Sequence, residues 1–266
     1  TNNIAYVQIG FDALNVPLNK IPYLSLIGSL VLGMGTRQHS YMEISQLLGI
    51  HTGGLRSWHF TSSNINDPKK ILSRIFFSGK ALMGNLEHLF NIWEEVIFEY
   101  DFNNPKRLVE IIKSSKAGME DSILSSGNHY VLSRLNSYQS LLGKYNELVE
   151  GISYYRFLEK LLVRAEKNPD EVAEEFRGVA QNLFTKENIL VNITAPESDY
   201  KIIEKRAIGL TQNLSDKKQS PADLKFDVGP INEAFLTASS VQFVGKGANL
   251  FELGMEYSGK FDVLNA

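Results

Sequence analysis

The sequence predicts the α+β class, an antiparallel sheet packed by helices on one side, and three observations carry that prediction. Short β-branched and aromatic runs occupy residues 4–11, 55–62, 71–77 and 189–193. Between them lie longer stretches whose apolar residues recur at three and four, the period of a core-facing helix. The order of these signals is strand, helices, hairpin, helices, strand, helix, which keeps the two kinds of element apart as α+β domains do.

Taken in order, Ile4, Tyr6 and Gln8 fall on one side of an opening strand. Pro22 sits where a first helical residue belongs, and the apolar block after it runs to Gly33 and Gly35, giving a helix buried on most sides. Ser40 and Glu43 form a capping-box pattern for a short helix finished by Leu47, Leu48 and Gly49. Gly53-Gly54 precedes a strand over 55–62, and the loop residues 64–68 join it to a second strand over 71–77, an antiparallel pair. Leu89, Phe90, Trp93, Val96 and Ile97 give the next helical stripe, and Asn104-Pro105 caps another through Leu108, Ile111 and Ile112. Further stripes follow at Val131 to Tyr138 and Ile152 to Leu162, and a fifth opens at Asn168-Pro169. Ile189, Val191 and Ile193 alternate as a half-buried strand, and residues 200–214 form a last helix. Residues 215–230, rich in Lys, Asp, Ser and Pro, form a linker. Beyond it residues 240–245 predict a new strand and 248–257 a helix.

Composition bounds the function. At 266 residues, with 43% hydrophobic and 21% charged residues, the chain is an ordinary folded protein. Its net charge of -3 offers no summed positive field for a phosphate backbone, so nucleic acid is not an expected partner. Zero cysteines remove disulfides, Cys-ligated zinc and thiol nucleophiles. Residues 24–34 are the longest apolar candidate for a membrane span, and Ser25, Gly28, Ser29 and Gly33 interrupt them, so no membrane span is expected. Thr1 opens the chain without an initiator Met or a basic leader, as expected of an excised piece or a mature product.

Catalytic chemistry is hard to find. None of the five histidines pairs with another at i, i+4, the spacing that sets two imidazoles over a zinc ion. His51 and His59 flank the Gly53-Gly54 turn and converge only by accident of folding; His88 and His129 sit in helices, and His39 has no evident partner. No G-x-S-x-G elbow occurs, and Gly245-Lys246-Gly247 lacks the spacing of a phosphate loop. Glu94-Glu95, Asp170-Glu171 and Glu174-Glu175 fall on polar faces or first turns, where solvation and the helix dipole account for them. Asn192-Ile193-Thr194 and Asn213-Leu214-Ser215 match glycosylation acceptors, a pattern with meaning only in a secreted protein. From the residues alone this is a binding or scaffolding module.

Several stretches in order carry a resemblance: residues 23–36, 41–47 and His51-Thr52-Gly53-Gly54, then 77–82, 90–102, 126–134 and 151–158. Together with 231–234 and 241–249, they are similar to the pitrilysin/insulinase superfamily of zinc peptidases, in its presequence-protease branch. The resemblance implies a degenerate pitrilysin-type metallohydrolase-like domain. Active domains of that superfamily carry H-x-x-E-H on the helix before a Gly-Thr, two His as ligands and the Glu as general base. Counting back from Gly35-Thr36, those positions fall on Leu26, Ser29 and Leu30, and the counterpart of the third ligand lies near Ala117. None of these side chains binds zinc or moves a proton, so no catalytic residue, metal or cofactor is expected here; zinc would sit in the first domain of the parent protein. The resemblance also makes Gly53, Gly54, Leu55, Arg56, Ser57 and Trp58 a substrate-facing edge strand, which would add a peptide main chain to main chain.

The resemblance thus implies three regions: residues 1–214 as a non-zinc peptidase-like domain, third of four, 215–230 as a linker, and 231–266 as a truncated start of the fourth, exposing Phe235, Val241, Phe243 and Phe251. The function expected is the non-catalytic part of a zinc metallo-oligopeptidase for unstructured peptides, forming the opposing wall of its chamber. Its partners would be the N-terminal catalytic half of the same polypeptide and an unfolded peptide, in a bacterial cytoplasm or in the matrix of a mitochondrion or plastid. The rival expectation is a stand-alone interaction or assembly protein on the same fold.

Overall fold

The computed structural model describes residues 3–64, 66–217, 224–226, 229, 231–238, 240–256 and 258–260. Strand β1 (Ile4–Asp12) is the sheet's organising strand, because Ala5, Val7, Ile9 and Phe11 are wholly buried on one side while Tyr6 and its even-numbered neighbours take the other. It pairs antiparallel with β3 (Asp67–Leu82) and with β4 (Leu190–Thr194), and β3 pairs antiparallel with β2 (Leu55–Asn64), so the four-stranded order is β2-β3-β1-β4. Both flanking strands, β2 and β4, are edges of this sheet.

Helices fill the face lined by the odd residues. The segment before the first helix is a 3-10 turn, Leu18–Tyr23, with Pro22 inside it, so α1 (Leu24–Gly33) begins two residues later than the proline signal predicts. Leu24, Leu26, Ile27, Leu30 and Val31 are all buried, as expected of a helix enclosed on most sides. Next comes α2 (Tyr41–His51), where the capping box forms: the Ser40 amide donates to Glu43 Oε2 at 2.8 Å and the Glu43 amide to Ser40 Oγ at 3.4 Å. This helix runs past Gly49 to His51, and Thr52 ends it by donating its amide and hydroxyl to the Leu48 carbonyl.

After the hairpin come α3 (Leu86–Phe98) and the long α4 (Pro105–Ser125), entered through an Asn104 cap with proline in the first turn. Then follow α5 (Gly127–Ser137), α6 (Leu141–Val149), α7 (Ile152–Lys167), α8 (Pro169–Leu183) and, after β4, α9 (Tyr200–Gln212). The sequence pattern does not reveal α6: its nine residues are short and Gly143 interrupts the stripe, a residue that weakens helix propensity. Ser140 caps it by accepting from the Gly143 amide at 3.0 Å, and Tyr145 anchors it in the core with no exposure.

The strand and helix expected beyond the linker are not formed. Residues 240–249 carry no strand, and the described part of 248–257 holds only a turn at 250–254; Tyr257 lies outside the described residues. An alternating pattern becomes a strand only beside another strand, and this segment lies along α5 instead. A Cβ added at Gly127 would meet Phe243 at 2.6 Å, one at Gly245 would meet Val131 at 2.4 Å, and Asn249 donates to the Gln139 carbonyl at 2.8 Å. Phe235, Val241, Phe243 and Phe251 are exposed, as the sequence predicts. Of the expected linker, only 215–217, 224–226 and 229 are described, and Lys186 and Asp216 pair there at 2.8 Å.

Gly143 tests the tightness of the α5–α6 corner. A Cβ there would stand 2.2 Å from the Asn136 carbonyl oxygen, a main-chain atom that cannot step aside cheaply. Gly143→Ala is therefore expected to destabilise the chain by about 1–3 kcal/mol despite its better helix propensity, read as a lowered urea midpoint at unchanged slope.

Candidate functional site

The site is the cleft between α1 and the edge strand β2. The two elements touch because α1 offers Gly28 at the crossing: a Cβ there would lie 2.2 Å from Ser57 Oγ, so any side chain would push the helix off the strand. Beside this contact a cleft of about 110 Å³ is lined by Ser25, Ser29, Ser57, Trp58 and His59 among others. Ser25 is held by the Val149 carbonyl.

The positions expected to have lost their ligands divide in two. Leu26 and Leu30 are buried in the core, 1% and 0% exposed. Ser29 is exposed and lines the cleft. Ala117 is exposed on α4 and does not line it. Two isobutyl groups, one hydroxyl and a distant methyl supply no donor set for a metal ion. The family's zinc therefore does not fit these residues, and no step is routed through it. Among the described residues no group of three or more His, Asp or Glu side chains is placed to hold a metal.

Edge strand β2 is built as its sequence predicts. The Gly53 amide donates to the Lys80 carbonyl at 2.7 Å, continuing the ladder, and Gly54 at φ +95° makes the turn into Leu55. Strand parity sends Leu55, Ser57 and His59 toward the helices and Arg56, Trp58 and Phe60 to the open face.

The histidines have partners that sequence spacing does not show. The His59 ring is enclosed although its main chain lies at the edge. Its Nε2 lies 2.7 Å from Ser73 Oγ, which lies 2.8 Å from the Tyr145 hydroxyl, while Nδ1 is buried without a partner. Burial pushes His59 down to about 4 and pushes the Tyr145 hydroxyl up, so this network is neutral at ordinary pH. His51 does not meet His59 but stacks on His88, centroids 3.8 Å apart. Nδ1 of His39 lies 2.8 Å from Glu95 Oε1, which also accepts from Thr36, and this contact raises the His39 pKa.

The expectation that the carboxylate pairs are merely solvated needs correcting at two places. Glu95 turns inward to Thr36 and His39, and Glu175 accepts from Lys20 at 2.7 Å, Tyr23 at 2.5 Å and Arg164 at 3.0 Å. Burial works against the Glu175 charge, but these donors hold its carboxyl below the usual range; burial and Glu175 push Tyr23 up to about 12. These are clamps between elements rather than acid–base machinery, since every named group has a structural partner.

A two-layer α+β fold with a peptidase-type helix that bears no ligating side chain defines an inactive-type metallopeptidase domain. The fold agrees with the crystal structure of a peptidase M16 inactive domain from Pseudomonas fluorescens, at a TM-score of 0.56 and 13% identity over 83% of this chain and 49% of that one. Residues 1–161 match the family described as peptidase M16 (subfamily C) associated, and the chain belongs to that family. It is 27% identical to protein HypA of Clostridium perfringens and 26% identical to presequence protease 1, chloroplastic/mitochondrial, of Arabidopsis thaliana, in each case over 100% of this chain. It spans 27% and 24% of the length of those relatives. No helix among the described residues is long and apolar enough to cross a membrane.

His59 gives a signed pH dependence. Its pKa is lowered on folding from 6.5 to about 4, so the stability it protects is fully present above about 6.5 and is lost as pH falls toward 4. The gap corresponds to about 3 kcal/mol. Urea denaturation between pH 7 and pH 4 should show that loss, and His59→Phe should flatten the profile in this window.

Proposed function

We propose that this chain is the non-catalytic part of a zinc metallo-oligopeptidase that degrades unstructured peptides, and that it forms the wall opposite the catalytic half. Residues 1–214 would be the peptidase-like domain of that wall, with 215–230 leading into a further one. The observation that carries the reading is the pairing of a peptidase-type helix, apolar at Leu26 and Leu30, with an edge strand opened by Gly53-Gly54. Edge strands recognise extended peptides through main-chain hydrogen bonds and so tolerate many sequences. Peptide held along Gly53 to Trp58 would be presented to chemistry elsewhere, and closure of the two halves would exclude water and folded proteins. Catalytic zinc would belong to the other half.

Two measurements test this. Mixing the chain with a catalytic half carrying H-x-x-E-H is expected to raise zinc-dependent cleavage of a short unfolded peptide at least about tenfold over that half alone. Equal activity without this chain overturns the wall role and favours a stand-alone assembly protein. In amide NMR spectra of this chain, the same peptide is expected to shift Gly53 to Ser57, and methylating alternate peptide nitrogens should weaken binding about fivefold or more. Shifts confined to other regions would rule out the edge strand.

A further inference from the structure

The face of the sheet that the described helices leave open is organised for a cover. At one level across the strands stand Arg56, Ser78, Gln8 and Asn192. Asn192 Nδ2 donates to Gln8 Oε1 at 3.0 Å, Gln8 Nε2 to Ser78 Oγ at 3.2 Å, and Trp58 Nε1 to the same Oγ at 3.1 Å. The next level is Trp58, Phe76, Gly10 and Leu190. Trp58 stacks on Phe76 at 4.5 Å, and Phe60 meets both rings edge-on. A Cβ at Gly10 would meet the Phe76 ring at 2.6 Å, so the glycine admits that ring over β1. Trp58 is 39% exposed, Phe60 38%, Tyr6 41% and Leu190 42%.

Contiguous apolar exposure of this kind marks an interaction surface. The polar groups within it already bond to one another, so covering them strands no donor. Charge on this face is one-sided. Arg56 and Lys80 bracket one end and Lys70 and Arg74 the other, whereas the one carboxylate among the described residues of the face, Asp12, accepts from Asn188 and the Leu14 amide. This bias occurs in a chain of net charge -3.

We propose that an amphipathic helix, apolar along its centre and acidic at its flanks, seats on this face and comes from the catalytic half with which the chain works; the inference rests on that reading. A helix brings its main-chain bonds already made. At about 10 Å across it covers the aromatic level and still reaches both cationic margins. The polypeptide to supply it exists in the relatives, of which this chain spans only 27% and 24%.

The chain has two tryptophans, and Trp93 is wholly buried, so acrylamide quenching reports Trp58. On complex formation with the catalytic half the quenching constant should fall at least about threefold, and Trp58→Phe should abolish that change. Phe60→Glu, on an exposed position that leaves the fold intact by circular dichroism, should weaken association at least about tenfold. Arg56→Glu with Lys80→Glu should weaken it too, in a salt-dependent way. A complex that leaves Trp58 fully quenchable overturns this inference and spares the wall reading. Failure to form any complex overturns both. Protection of Trp58 by self-association of the chain assigns the face to a second copy and overturns the inference as well.

Discussion

The contact of Gly28 with Ser57 is the constraint on which the rest of the site depends. Helix α1 can lie against the edge strand only because its crossing residue has no side chain, and the hydroxyl of Ser57 fills the space a Cβ would take. With the helix so placed, Leu26 and Leu30 point into a core that also receives Ile9, Phe77 and Trp93. An ancestor with ligands at those two positions would have held polar rings where the present chain holds isobutyl groups. Removing the metal and refilling the positions with leucine converts a costly polar interior into apolar burial, at roughly 1.5–3 kcal/mol for each side chain. The degenerate helix thus contributes stability where its active counterparts contribute chemistry.

Ion pairs fix the remaining elements relative to this helix. Glu175 on α8 gathers Lys20 and Tyr23 from the turn before α1 and Arg164 from α7. Arg206 on α9 binds Glu87 and Glu94 on α3, at 2.9 and 2.6 Å. Glu95 on the same helix holds the loop at Thr36 and His39 that follows α1. Glu147 is the deepest of these groups: it is wholly buried, meets Arg134 at 2.7 Å and accepts from the Ser153 amide at 2.8 Å. Its burial is tolerable because the cation and the main-chain donor together offset the loss of water. Arg134 in turn binds Glu233, which ties the segment after the linker to α5.

Much of the fold is legible in the sequence because its signals are local. The Ser40–Glu43 box, the Asn104-Pro105 entry and the alternation at 189–193 each depend on neighbours in sequence, and each is formed. The loss of ligands at Leu26, Ser29 and Leu30 is legible through spacing from Gly35-Thr36. Three things are not. Helix α6 is short and carries Gly143, so its stability comes from Tyr145 in the core rather than from propensity. The strand pattern at 240–245 is satisfied in sequence but finds no strand to pair with. Partners of His39, His59 and Glu175 lie 56, 14 and 155 residues away, at separations that no periodicity encodes.

The two faces of the sheet show how differently the same strands treat burial. On the helix side β1 presents four wholly buried apolar residues and nothing polar. On the other side its alternate positions supply Tyr6, Gln8 and Gly10, a mixture that a solvated face would not need to hydrogen-bond internally. Water satisfies an exposed amide at no cost, so a chain of side-chain bonds through Asn192, Gln8, Ser78 and Trp58 gives up rotamer freedom for little gain while the face is wet. Under a cover the balance reverses, because each unpaired group would then cost about 1–3 kcal/mol. The arrangement is economical only for a sheet with two buried faces. The Gly28–Ser57 contact and the Gly10–Phe76 contact are then counterparts, one glycine admitting the inner layer and the other flattening the outer face to receive its own.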